Sequence, residues 1–241
     1  MRLAVMQPYI FPYLGYFHLI DSVDKFVFLD DVSYINRGWI NRNRLCLNGK
    51  DYLFTIPLKK ASQNKKIVET TIHDNYILWL NNFYKTFTSC YMRESNFEKI
   101  KSLVFDLLNS YGPGDSIADL AQESVIVCYE YLQSSIYNKY SSQLWLRASN
   151  CCKNNQHLKK ENRLIAICKQ EKSSTYHNAI GGQTLYNKEF FAKEGVSLSF
   201  VKSELSSYKK GFIPGLSIID LLVSTTKIDT LQQQLKSYSL V

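Results

Sequence analysis

Hydrophobic residues crowd Leu3 to Met6, give way to a loop rich in proline, tyrosine and glycine, and return with helical spacing over Phe17 to Val23. A second apolar run, Phe26 to Leu29, is extended, so the opening segment predicts a β-loop-α-β unit. In such a unit the loop leaving the first strand is the ligand-binding end. Asp51 to Leu58 reads as a strand stopped near Pro57, followed by a polar loop over 59–66. Farther on, Phe97, Ile100, Leu103, Val104, Leu107 and Leu108 share one helical stripe, with Ser95 and Glu98 at capping-box spacing. Tyr111-Gly112-Pro113-Gly114 breaks that stripe, and the helical period resumes from Ile117 to Leu132 behind Asp115 or Ser116 as cap. Residues 74–134 are therefore expected to be mainly helical.

From there the pattern alternates. Leu144 to Ala148, Ser174 to Asn178 and Val196 to Val201 read as strands, Glu161 to Gln170 and Lys188 to Lys193 as helices, which predicts a returning α/β portion over about 144–222. Pro214 and Gly215 precede a last apolar helix, for which Ser217 is the expected cap, with Asp220 at the box-like position three residues on. The length of 241 residues suits one large domain over 1–241, or a principal domain with a helical subdomain.

Composition narrows the class. Hydrophobic residues make up 45% of the chain, so it is globular, and no uncharged apolar run approaches a membrane span. Without a cleavable signal pattern, a cytoplasmic location is expected. Six cysteines lack metal-ligand or CxxC spacing, and the four histidines show no ligand pattern, so neither a metal nor a cofactor is expected. A formal charge of +8 favours anionic partners, although several lysine pairs fall in loops where a solvated surface explains them.

The densest recognition chemistry is Tyr34 to Arg44, which carries three arginines (Arg37, Arg42, Arg44), three carboxamides (Asn36, Asn41, Asn43) and Trp39. Guanidinium forks suit phosphate, an indole stacks on a base or sugar, and carboxamides read hydroxyls. The competing reading is a half-exposed strand whose arginines pair with Asp30 or Asp31. Near 178–186, Gly181 and Gly182 let backbone amides approach a ligand beside Asn178, or simply form a tight strand-to-helix turn.

Four blocks in order, MQPYIFPYLGYFHLI, DDVSYINRGWINRNR, YHNAIGGQTLY and PGLSIIDLL, resemble the WbqC-like family over essentially the whole chain. The resemblance implies a part in O-antigen, lipopolysaccharide and related surface-glycan biosynthesis. It points to Gln7, Tyr9, Gly15, Tyr16, Asp30, Asp31, Arg37, Trp39, Asn41, Arg42, Asn43, Arg44, Asn178, Gly181, Gly182, Ser217 and Asp220. His18 departs from it, since family versions of that block more often carry glutamine. The first unit also looks like the start of a Rossmann-like nucleotidyltransferase core, but Tyr13-Leu14-Gly15-Tyr16 stands where those domains carry HxGH.

The leading expectation is a transferase that acylates or aminoacylates the amino group of a nucleotide-linked sugar, with Asp30, Asp31 or His18 as base. Asn178 and the Gly181-Gly182 amides are the expected oxyanion donors. An acidic acyl or aminoacyl carrier protein is a possible partner, whereas the absence of any RRM, KH or zinc pattern argues against specific nucleic-acid binding. The alternatives are a nucleotidyltransferase-like enzyme with a degenerate HxGH motif and a noncatalytic sugar-nucleotide or carrier-protein binding module. The oligomeric state is not legible.

Overall fold

The computed structural model describes residues 1–241. Strand β1 (Arg2–Met6) leads through a loop to helix α1 (Leu14–Asp21) and strand β2 (Lys25–Phe28). Two hairpins follow, β3 (Arg42–Leu47) with β4 (Lys50–Thr55), and β5 (Leu58–Lys59) with β6 (Thr71–Ile72). Helices α2 (Tyr76–Tyr91), α3 (Phe97–Asn109) and α4 (Ile117–Tyr137) precede β7 (Leu144–Arg147), α5 (Ala148–Cys151), α6 (Lys160–Gln170) and β8 (Thr175–Ala179). The chain ends with α7 (Lys188–Lys193), β9 (Ser197–Ser203), α8 (Ile218–Ser224), α9 (Ile228–Lys236) and β10 (Tyr238–Leu240).

This is an α/β structure around one six-stranded sheet, ordered β10-β9-β8-β1-β2-β7. All its pairs are parallel except the edge pair of β10 with β9. The strand order changes direction between β8 and β1, and everything from β3 through α4 is inserted between β2 and β7. No helix is long and apolar enough to cross a membrane.

Side chains alternate across the sheet, and the alternation sorts the core. Ala4, Phe26 and Phe28 face the larger core with α1 to α4, α8 and α9. Leu3, Val5 and Val27 face a smaller core closed by Leu164 and Ile165 of α6 and Phe191 of α7. Both faces of β1 and β2 are thus buried, which is why these strands read as continuous apolar runs.

The structure departs from the pattern in a few places. Helix α1 starts at Leu14 rather than Phe17. The Ser95–Glu98 capping box does not form: Asn96 takes the N-cap position of α3, and its amide instead donates to Tyr131 Oη (2.7 Å) and the Leu222 carbonyl (2.9 Å). Ser116, not Asp115, caps α4, accepting from the Ala118 amide at 3.2 Å. Asp115 accepts from the Gly112 amide and so closes the turn ahead of the helix.

Candidate functional site

The loop leaving β1 is stitched to distant parts of the chain. Phe11 holds a left-handed φ of 40°, a conformation unfavourable for a bulky residue and commonly maintained at functional sites. Its amide donates to Ser124 Oγ (2.9 Å), and its carbonyl accepts from Asn43 Nδ2 (2.8 Å) and Ser217 Oγ (2.7 Å). The Ile10 amide donates to the Trp39 carbonyl, the Ile218 amide to the Pro12 carbonyl, and the Ser217 amide to the Arg44 carbonyl. The loop, the start of β3 and the N-terminus of α8 therefore form one scaffold.

Between them opens a cleft of about 210 Å³ lined by Tyr9, Pro12, Tyr13, Trp39, Asn43, Arg44 and Gly215. Trp39 is 38% exposed, and its ring lies over two guanidiniums, 5.4 Å from Arg42 Cζ and 5.7 Å from Arg44 Cζ. Arg44 donates from Nη1 to Asp51 (3.2 Å) and from Nη2 to the Gly215 carbonyl (3.1 Å), while its buried Nε has no hydrogen-bond partner. Gly215 is required there, since its φ is +73° and a side chain would press on Arg44 at 3.2 Å. Gly15 makes room for the Tyr13 ring, whose nearest atom would stand 2.4 Å from a Cβ at that position. Burial raises the Tyr9 and Tyr13 pKa values, so both hydroxyls remain neutral hydrogen-bond donors at physiological pH. The result is a site with aromatic walls and a cationic edge, suited to a ring-bearing, negatively charged small molecule.

A family model described as the WbqC-like protein family matches residues 7–231. The chain belongs to the WbqC-like family. It is also similar to the "Uncharacterized protein Rv1507c" of Mycobacterium tuberculosis, at 25% identity over 227 residues that cover 92% of each protein. No solved structure matches the chain.

In this WbqC-like chain the remaining expected site residues divide by what they touch. Arg42 donates from Nε to the Gly38 carbonyl (2.9 Å) and also to the Arg37 carbonyl, so its fork holds the 37–39 turn. Arg37 is exposed on that turn with φ 60°. Asn41 joins Tyr34 Oη (2.8 Å) to the Ile56 carbonyl (2.7 Å), and Asn43 is held by the Ile10 and Phe11 carbonyls and the Arg44 amide. Both carboxamides hold backbone in place, and of the two Asn43 also lines the cleft. Tyr16 is buried with its hydroxyl on the Gln7 carbonyl (2.8 Å), and the half-buried Gln7 directly follows β1.

The three residues put forward as bases lie outside the cleft lining. His18 faces α9, its Nε2 2.7 Å from the Gln234 carbonyl, and burial lowers its pKa. Asp30 is fully buried at the end of β2, accepting from Arg147 Nε (2.9 Å), Ser149 N (2.9 Å) and Ser149 Oγ (2.7 Å). Asp31 takes both its contacts from Arg163 Nη2, at 2.6 and 2.7 Å. The arginines that pair with these carboxylates are therefore Arg147 and Arg163, not those of the 37–44 segment.

Asn178 accepts its own neighbour's amide (Ala179, 2.8 Å), and Gly181 and Gly182 form the 3₁₀ turn Ile180–Thr184 that leaves β8, with Gly182 packed beneath the Asn178 amide. Neither they nor Gln7 line the aromatic cleft. Ser217 caps α8, accepting from the Ile219 amide, whereas Asp220 is buried and accepts from Tyr208 Oη (2.7 Å) and Lys209 Nζ (2.8 Å). Sequence reasoning left out Pro12, Tyr13 and Gly215 as wall residues, although the Pro-Tyr and Pro-Gly pairs marked both turns. No group of three or more histidine, cysteine or acidic side chains is placed to hold a metal ion.

Proposed function

We propose that this chain is a transferase of surface-glycan assembly of the O-antigen type, binding a nucleotide-linked amino sugar in the Tyr9–Tyr13–Trp39–Arg44 cleft and passing an acyl or aminoacyl group to its amine. The observation that carries this reading is the convergence of Trp39 and Arg44 with the loop after β1: an aromatic platform and a guanidinium meet at the ligand-binding end of the opening unit. Membership of the WbqC-like family supports the pathway. The turn in strand order between β8 and β1 supports a Rossmann-like core of the nucleotidyltransferase type. Activated sugars and an acidic acyl carrier would meet the protein in the cytoplasm.

The chemistry follows from what lines the cleft. Amide formation needs a free amine and donors for the developing oxyanion. Tyr9, Tyr13 and Arg44 are donors, and no carboxylate or imidazole is among the lining residues. The amine must therefore arrive deprotonated: its nitrogen forms the amide bond as the C–S bond of the donor's acyl thioester breaks, the departing thiolate takes up the proton the nitrogen loses, and turnover rises with pH through the amine's own pKa.

Calorimetric titration with dTDP- and UDP-linked amino sugars, followed by mass analysis after adding acyl donors, tests the reading. The expected result is binding followed by a mass gain on the sugar. Binding without a mass gain from any donor assigns the chain as a noncatalytic sugar-nucleotide module, a reading favoured by the lack of a titrating base in the lining. Release of pyrophosphate from a nucleoside triphosphate with a divalent ion would replace both with nucleotidyl transfer.

A further inference from the structure

A second groove, about 470 Å³ in volume, lies where the end of α2, the Asn48-Gly49 turn of the β3–β4 hairpin and the Lys209–Gly211 connector meet. Its cations are not equivalent. Lys209 is already neutralised, with Nζ 2.8 Å from Asp220, 2.9 Å from Ser224 Oγ and 3.7 Å from Glu94. Arg93 and Lys210 line the same groove, are exposed, and take part in none of the ion pairs. Glu94, beside Lys209, is the only carboxylate in the lining, so the groove carries net positive charge. The Cys90 thiol does not compete for that charge, since burial pushes its pKa up to about 12 and keeps it neutral.

The groove borders the same strand and the same connector as the cleft. Cys46 in its wall follows Arg44 by two residues on β3, and alternate side chains of a strand share a face roughly 7 Å apart. The connector that carries Lys210 and Gly211 runs on to Gly215 at the cleft edge. We propose that Arg93 and Lys210 form a second subsite that takes a phosphate group of a ligand extending along β3 from the Trp39 cleft, an inference that rests on the nucleotide-sugar reading of that cleft. A guanidinium fork and an ammonium point charge together match a phosphate group. Two molecules of this chemistry fit: the diphosphate of the nucleotide-linked sugar itself, or the phosphopantetheine arm of a separate acyl donor.

Calorimetry on the full chain with a UDP-linked amino sugar and with coenzyme A, at several salt concentrations, separates the two. The variants are Arg93→Ala/Lys210→Ala and, independently, Trp39→Ala. The double variant is expected to keep its melting temperature and to bind at least one ligand about tenfold or more weakly, because hydrogen bonds to charged groups are at stake. Its salt dependence should be shallower. Loss confined to the UDP sugar assigns the diphosphate, and loss confined to coenzyme A assigns the donor arm. Unchanged affinity for both ligands, or no binding of either to the wild type, overturns the subsite. A groove effect with Trp39→Ala silent leaves the subsite standing and sinks the cleft reading instead.

Discussion

The end of β2 and the loop around Trp39 are equally rich in charge, and the structure treats them in opposite ways. At Asp30 and Asp31 each carboxylate is enclosed by a guanidinium from far along the chain: the Asp31 side chain is 1% exposed and its partner Arg163 is 8% exposed. At Trp39 the arginines stay partly exposed, one holding a turn and the other forming a cleft wall; an unpartnered Nε does not set the regions apart, since those of Arg44 and Arg163 are both buried without a partner. The difference is solvent access. The first region has spent its charges on internal pairing, whereas the second still has donors and aromatic area facing solvent.

Removing one member of the sealed pair should have the largest effect. Asp31→Ala leaves Arg163 buried without its counter-ion and is expected to destabilise the fold by about 3–5 kcal/mol, measured by denaturant unfolding. Converting both partners, Asp31→Leu with Arg163→Met, should restore most of that loss. A single variant as stable as wild type would show that the pair is not enclosed in solution.

In the open region stability and binding should separate. Trp39→Ala is expected to lower unfolding free energy by about 1–2 kcal/mol through the two lost guanidinium–indole contacts, less than the loss at Asp31. It should nevertheless weaken nucleotide-sugar binding by about 1–3 kcal/mol through lost stacking, read by calorimetry. A large stability loss with intact affinity would reverse the assignment of the ring.

Gly15→Ala probes the wall itself. A methyl group there meets the tip of the Tyr13 ring, so the ring must leave its seat, while alanine gains about 0.5–1 kcal/mol of helix propensity over glycine. Net stability should move by less than about 1 kcal/mol while sugar-nucleotide affinity falls. In a Tyr13→Ala background the same substitution should turn stabilising, which a double-mutant cycle detects.

The smallest effect concerns His18, away from both regions. Burial lowers its pKa below the ordinary 6.5, so the unfolded chain binds the proton more readily. Its contribution is therefore intact above about pH 6.5 and is lost as pH falls from there toward the depressed folded value. His18→Gln should flatten the decline of unfolding free energy between about pH 8 and pH 5, without changing ligand affinity at neutral pH. An unaltered pH profile would place the ring in contact with water.

Much of the fold was legible because it is written in local periodicity. The helix at Lys188–Lys193 matches its expected bounds, and the strands of the parallel sheet fall within about two residues of theirs; for β1 and β2 the apolar runs follow from burial on both faces. Helix α9 and strand β10 escaped notice because glutamines interrupt the one and the other is three residues long. The aromatic and cationic character of the Trp39 segment was legible too. Which polar groups remain free was not: Asp30 and Asp31 meet arginines 117 and 132 residues away, and Asn43 meets carbonyls 32 and 33 residues back. Composition shows how many donors and acceptors a segment holds, whereas tertiary pairing decides which of them are left over.

Phe11 gives this a temporal consequence. The side chains that hold its left-handed backbone belong to residues 32, 113 and 206 positions away, so its turn gains its final shape only after β3, α4 and α8 have all docked. Closure of such distant contacts is slow and comes late in folding. The cleft is then a sensor of complete assembly: a ligand that recognises it selects finished molecules alone, and its binding free energy is coupled to the cohesion of the whole chain.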